Sequence, residues 1–266
     1  MKKQTLHSLQ KLKEIEEPIT VLTAYDSSFA KLISELGVEI ILVGDSLGMV
    51  IQGKQTTVPV TMANMVYHTE CVAEGNQSSW VIADMPYMAY ATEQQTLMNA
   101  AKLMQAGANM VKFEGGEWLC SSISKLTERG IPVCAHLGLT PQSVDALGGF
   151  KVQGRNQQNA QQIMADALAV EKAGAKLLVL ECVPAALATK ITQQLTIPTI
   201  GIGAGNKTDG QVLVMQDMLG LNGDFRPKFV QNFFELESVT TIDGAISTYI
   251  AMVKARTFPN ENHSFV

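Results

Sequence analysis

Short apolar runs in this chain repeatedly end in an ionisable side chain. Asp45 follows Ile40–Gly44, Asp84 follows Trp80–Ala83, Lys112 and Glu114 flank the end of Met110–Phe113, His136 follows Pro132–Ala135 and Glu181 follows Leu177–Leu180. Each alone has an ordinary explanation. An aspartate after a strand is commonly a helix N-cap, which is the reading for Asp26. His136 could be a hydrogen-bonded structural imidazole as readily as an active-site group. Lys112 and Glu114, two apart and so on one strand face, could form a rim salt bridge. Recurrence weakens all of these readings together, because a charge in an apolar strand carries a desolvation cost that pairing or a metal must offset. Three carboxylates on neighbouring strands, Asp45, Asp84 and Glu114, suit a hard divalent ion that takes oxygen ligands and keeps positions open for substrate oxygens. Mg2+ fits that donor set better than the softer-liganded Zn2+. Glu181, two strands farther round, would reach the same substrate from another side and suits a general base. A chelating 2-oxo acid accounts for the layout: metal on its keto oxygen would stabilise the enolate formed when the base removes the neighbouring proton, while Lys112 holds the carboxylate.

For these residues to meet, the apolar runs must be strands of one sheet with their carboxyl ends together. The further candidate strands are Thr20–Ala24, Thr199–Ile202 and Val212–Met215. Amphipathic stretches lie between most of them: Ser27–Glu35, Met62–Glu74, Glu93–Gln105, Glu117–Glu128, Gln157–Lys172 and Ala185–Gln194. Gly37, Gly75, Gly107, Gly130 and Gly174 stand where left-handed helix caps belong. Strand then helix, roughly eight times over and with strands apolar on both faces, predicts a (β/α)8 barrel as a single domain over residues 1–266, with its active site at the carboxyl face. The runs near Thr199 and Val212 are too close for a full helix between them. Thr5–Lys13 reads as an extra helix under the barrel and Ile242–Lys254 as a C-terminal helix followed by a polar tail.

Gly201–Gly205 is a glycine-rich turn after a strand. It suits either close backbone approach to a ligand or a tight packed turn, and it lacks the spacing of a dinucleotide fingerprint. The segment Leu137–Arg155 exceeds the roughly 12–15 residues usual for an unstructured connection and reads as a binding loop or lid.

Composition narrows the partners. Of 266 residues, 46% are hydrophobic and 17% charged, the balance of a folded globular chain. A formal charge of -5 with no basic cluster argues against nucleic acid and for small molecules. No apolar run approaches the roughly 18 residues of a membrane span, and Gln4–Glu17 is polar where a signal peptide would be apolar, so the expected compartment is the cytoplasm. Cys71, Cys120, Cys134 and Cys182 form no C-x-x-C pair and read as buried small hydrophobes, Cys182 included despite its place beside Glu181.

A resemblance covers nearly the whole chain. Thr23-Ala24-Tyr25-Asp26, Leu42-Val43-Gly44-Asp45-Ser46-Leu47-Gly48-Met49, Ala83-Asp84-Met85-Pro86, Val111-Lys112-Phe113-Glu114-Gly115-Gly116, His136-Leu137-Gly138-Leu139-Thr140-Pro141-Gln142-Ser143 and Leu180-Glu181-Cys182-Val183-Pro184 resemble the ketopantoate hydroxymethyltransferase family. The resemblance implies Mg2+ and the transfer of a one-carbon unit from the cosubstrate 5,10-methylenetetrahydrofolate to 3-methyl-2-oxobutanoate, giving 2-dehydropantoate for pantothenate biosynthesis. Carried onto matching positions, it implies Asp45, Asp84 and Glu114 around the metal, Asp45, Ser46, Asp84 and Lys112 at the substrate, and Glu181 as proton acceptor. It also implies a homo-oligomer, commonly a decamer. Asn64, Ala135, Asp145 and Asn262 depart from the family's usual residues, none at a proposed ligand or base. Two rivals stand beside this reading. A lyase or mutase of the related 2-oxo acid barrels would share the enolate and need no folate, and a catalytically silent barrel would be expected to have lost a charged rim residue.

Overall fold

The residues apolar on both faces become eight parallel strands in the computed structural model, which describes residues 2–223 and 226–266. They are β1 (Ile19–Thr23), β2 (Ile40–Val43), β3 (Trp80–Asp84), β4 (Met110–Glu114), β5 (Val133–Gly138), β6 (Leu177–Glu181), β7 (Thr199–Ile202) and β8 (Gly210–Leu213). Each pairs with the next in sequence and β8 returns to β1, closing the barrel. This is the expected single-domain α/β barrel. A closed ring leaves no sheet edge, and every strand is covered inside by other strands' side chains and outside by helices.

Alternation along each strand divides the core in two. Ile19, Val21, Ile40, Leu42, Ile82, Met110, Leu177, Val179 and Val212 fill the barrel, while the intervening residues pack against the helices. The helix Leu6–Glu14 plugs the amino end, sending the fully buried Leu9 into the interior cluster. Charges at that end are paired off structurally. Lys13 meets Asp209 at 2.7 Å, and Asp209 also accepts from the Thr199 N–H. Glu39 accepts from the Thr20 N–H, the Thr20 hydroxyl and Lys254.

The helices Ser27–Glu35, Glu93–Gln105, Gln157–Lys172, Ala185–Gln194 and Ile242–Lys254 form with the boundaries the sequence predicts. Asp26 is an N-cap, accepting from the Phe29 N–H at 2.9 Å. Asn64 closes a reciprocal cap with Thr61, its carbonyl accepting from the Thr61 N–H, so it serves the role an acidic residue serves at that position. Some expectations change. The stretch Glu117–Glu128 is a 3-10 turn, Glu117–Leu119, followed by a helix Cys120–Thr127, and the strand predicted as Pro132–Ala135 runs from Val133 to Gly138 and so contains His136. Gly75 is not a left-handed cap: it is the last helical residue of Met62–Gly75, and a Cβ there would lie 2.1 Å from the Ser27 carbonyl oxygen. Its role is close helix approach. Strand β8 lies two residues earlier than predicted: Gly210 already pairs with Ile19 and Ile200, and the strand stops at Leu213, where the Met215 N–H turns to the Thr23 hydroxyl and the short helix Met215–Met218 opens. No helix lies between β7 and β8; the C-terminal helix Ile242–Lys254 packs over the β8–β1 seam, its Tyr249 hydroxyl donating to the carbonyls of Gln211 and Val21 at 2.7 and 3.0 Å.

Candidate active site

Register turns the strand-end residues into neighbours. Asp84 on β3 lies beside Lys112 on β4, Glu114 beside His136 on β5, and Gly138 beside Glu181 on β6. Lys112 and Glu114, His136 and Gly138 are two apart, so each pair points inward with the same pleat. Asp45 and Ser46 arrive just past β2. The result is one cavity of ≈ 280 Å³ whose wall includes Asp45, Ser46, Asp84, Lys112, Glu114, His136 and Glu181. Every site residue expected from the sequence is therefore in the same place, at the carboxyl mouth of the barrel.

Charge pairing inside is specific. Lys112 meets Asp84 at 2.6 Å, and not Glu114 as the shared strand face allowed. Burial alone would lower the lysine's proton affinity, but Asp84, Glu114 and Asp45 together raise it well above the usual range, so the ammonium stays charged. The other Asp84 oxygen accepts from the Asp45 N–H at 3.1 Å. Burial, then Asp84 and Glu114, push the Asp45 carboxyl well above the carboxylate range. His136 lies between two glutamates, Nδ1 3.5 Å from Glu114 and Nε2 3.2 Å from Glu181. Neither contact has hydrogen-bond alignment. Burial and Lys112 pull the imidazole down, yet Glu114 and Glu181 more than reverse this, and it is pushed up to about 9. His136 thus lines the cavity and lies between two of its acids.

The long segment after β5 has structure of its own, a 3-10 turn at Pro141–Ser143 and a short helix Val144–Leu147. It supplies a residue that strand-end reasoning missed. Gln142, buried, donates from Nε2 to Asp45 at 2.8 Å and to the Met85 carbonyl at 3.0 Å, while its backbone N–H donates to Glu114 at 3.0 Å. The Tyr90 hydroxyl donates to its Oε1 at 2.5 Å. The only cue was its place in the His136–Ser143 block. Ser46 shares a hydrogen with the Tyr25 hydroxyl at 2.9 Å. Phe150, Phe229 and Phe265 give the mouth an aromatic rim. The turn Gly201–Gly205 proves to be a packed one: Gly203 abuts Phe229 and Phe265, and the Gly205 carbonyl accepts from Gln211. Cys182 is buried as expected, its thiol pushed up by burial and then by Glu181, but its backbone sits at φ 47, in the left-handed region.

The donor set suits a hard cation. It is all oxygen, and Asp45 has repulsive carboxylate neighbours that a divalent ion would neutralise. Among the described residues, no three His, Cys, Asp or Glu side chains are grouped closely enough to hold an ion as they stand. Asp84 accepts from Lys112, and Glu114 from the Gln142 N–H.

The model of the family described as ketopantoate hydroxymethyltransferase matches residues 3–261. A protein of Colwellia psychrerythraea named 3-methyl-2-oxobutanoate hydroxymethyltransferase is 58% identical over 265 residues, covering 100% of both chains. One of the same name from Idiomarina loihiensis is 58% identical, covering 99% of this chain and 98% of that one. Among solved structures, that of a phosphonomutase-like protein from Burkholderia cenocepacia aligns over 81% of this chain and 95% of the other with a TM-score of 0.66. At 14% identity that likeness speaks for the barrel alone.

Proposed function

This chain belongs to the ketopantoate hydroxymethyltransferase family, and from that premise we propose that it moves a one-carbon unit from 5,10-methylenetetrahydrofolate to 3-methyl-2-oxobutanoate, giving 2-dehydropantoate. The observation that carries the reading is the convergence of Asp45, Asp84, Lys112, Glu114, His136 and Glu181 on one cavity wall. A small oxo acid fits a space of ≈ 280 Å³ beneath the aromatic rim, which leaves the bulkier folate to approach from outside.

Asp45 and Asp84 would hold Mg2+, with Glu114 completing its surroundings. When bound, the ion supplies Lewis acidity toward the keto oxygen and lowers the cost of removing the C3 proton. Ser46 offers its hydroxyl and Lys112 its fixed positive charge to the substrate carboxylate, setting C3 opposite Glu181. Glu181 takes the C3 proton, and the resulting enolate carbon bonds to the methylene carbon as that carbon leaves the folate nitrogens; water supplies the hydroxyl, and tetrahydrofolate departs carrying the protons. His136, against both Glu114 and Glu181, keeps positive charge beside the base. The acidic composition supports small-molecule partners rather than nucleic acid, and no helix among the described residues is long and apolar enough to cross a membrane. We place the enzyme in the cytoplasm as a homo-oligomer, a decamer by family likeness.

The test is direct: purified protein with the oxo acid, Mg2+ and methylenetetrahydrofolate should form 2-dehydropantoate, followed by mass spectrometry. Formation of none would end the proposal. Folate-independent cleavage of another oxo acid would favour the lyase alternative.

A further inference from the structure

Gln142 lies outside the strand ends yet touches three of them. Its side chain reaches Asp45 beyond β2 and the Met85 carbonyl beyond β3, and its backbone reaches Glu114 on β4. Every polar atom of the side chain is engaged. The direction of the amide is fixed chemically, because the Met85 carbonyl can only accept and so demands the NH2 end, which leaves the oxygen end to the Tyr90 hydroxyl, donating at 2.5 Å. Tyr90 remains a donor, since burial and then Glu114 raise its proton affinity far above the phenol range. A reversed amide would set oxygen against carboxylate and carbonyl, and nitrogen against the tyrosine hydrogen.

We infer that Gln142, aimed by Tyr90, is a positioning residue that holds the Asp45 carboxylate in the direction needed to accept a divalent cation. The inference rests on the metal role proposed above for Asp45. The donated hydrogen bond occupies Asp45 Oδ2 and leaves the other oxygen free, and it compensates part of the repulsion from Asp84 and Glu114 without adding charge. It also makes the loop after β5 part of the cation's support, so that loop and carboxylates are set together. A glutamate in its place would bring a further like charge against Asp45, and an apolar residue would leave Asp45 and the Met85 carbonyl without a donor.

The experiment is Mn2+ titration by electron paramagnetic resonance, at a temperature well below melting, of the wild type, Gln142→Met, Tyr90→Phe and the double variant, with circular dichroism melts to establish that each is folded. Removing an outer hydrogen-bond partner of a metal ligand typically costs about 10–100-fold in affinity, and that loss is expected for Gln142→Met. Tyr90→Phe should fall between it and the wild type. The double variant should bind no more weakly than Gln142→Met, because both changes act through one amide. A residue that only anchors the loop would lower the melting temperature and leave Mn2+ affinity in place; that result, or losses that simply add, overturns the inference. Should Gln142→Met fail to fold, wild-type affinity in Tyr90→Phe overturns it equally. A wild-type protein that takes up no Mn2+ overturns both this inference and the metal role beneath it, whereas wild-type binding with an indifferent Gln142→Met removes the inference alone.

Discussion

A glutamate that is to take a proton from carbon has to be held in one place, and the backbone around Glu181 does much of this. Its carbonyl accepts from the Leu139 N–H at 2.8 Å and passes so near Gly138 that a Cβ there would lie 2.2 Å away. The next residue, Cys182, is left-handed at φ 47, a conformation that costs a non-glycine residue about 1–3 kcal/mol and gathers at functional sites. Glu181→Gln keeps the shape and removes the proposed base. It should bind the oxo acid but abolish solvent deuterium entry at C3, read by NMR, and undiminished exchange would assign the base elsewhere. His136 supplies a pH dependence. Its folded pKa of about 9 lies above the ordinary 6.5, so the stability it contributes is complete below pH 6.5 and is lost as pH rises through 9. The interval corresponds to roughly 3 kcal/mol at most. Metal-free wild type should therefore lose its thermal advantage over His136→Gln across that window, and a constant difference in melting temperature would refute the assignment. The strand-end acids were legible because pleat and barrel leave them few places to point. Gln142 was not, since which loop side chain reaches Asp45 depends on how the chain folds back after Gly138.

Helices and strands were legible where hydrophobic period and caps agree, as in Ser27–Glu35 with its Asp26 cap and Gln157–Lys172 ended by Gly174. They were less so where one interaction outside the element decides the boundary. Thr23 draws Met215 out of the β8 ladder, and no local pattern announces that. Gly75 shows the same limit: glycine at a helix end reads as a cap, yet its conformation is helical and the reason for glycine lies on the neighbouring helix. Gly75→Ala and Gly130→Ala should separate the two roles. At Gly75 the new methyl meets Ser27 backbone, which cannot rotate aside, and overpacking of this kind costs about 1–3 kcal/mol or more. At Gly130 the space is open and only the left-handed backbone, φ 76, is penalised, by roughly 1–2 kcal/mol. Urea melts should place the Gly75 variant as the less stable; the reverse order would mean that the two helices can part at little cost.

Across the whole barrel, stability and chemistry occupy opposite ends. The amino end is closed by Leu9 and by ion pairs that engage Glu39 and Asp209, and the carboxyl end holds the cavity. Leu9→Ala should cost about 2–5 kcal/mol, the usual penalty for emptying such a site, while kcat/KM at temperatures well below melting stays as in the wild type. A loss of turnover in the folded variant would show that the two ends communicate. Fold likeness to barrels of 14% identity could not have chosen the reaction, because function resides in the side chains at the mouth. Carboxyl groups also outnumber basic groups there: Asp45, Asp84, Glu114, Glu181 and Asp217 face the space against Lys112, His136 and Lys228. An oxo acid entering by itself climbs an electrostatic hill, and one that finds a divalent ion already seated does not. Cation and acid should accordingly assist each other's retention by one common factor, since such linkage is reciprocal, and equilibrium dialysis of either with the other held saturating would read that factor twice.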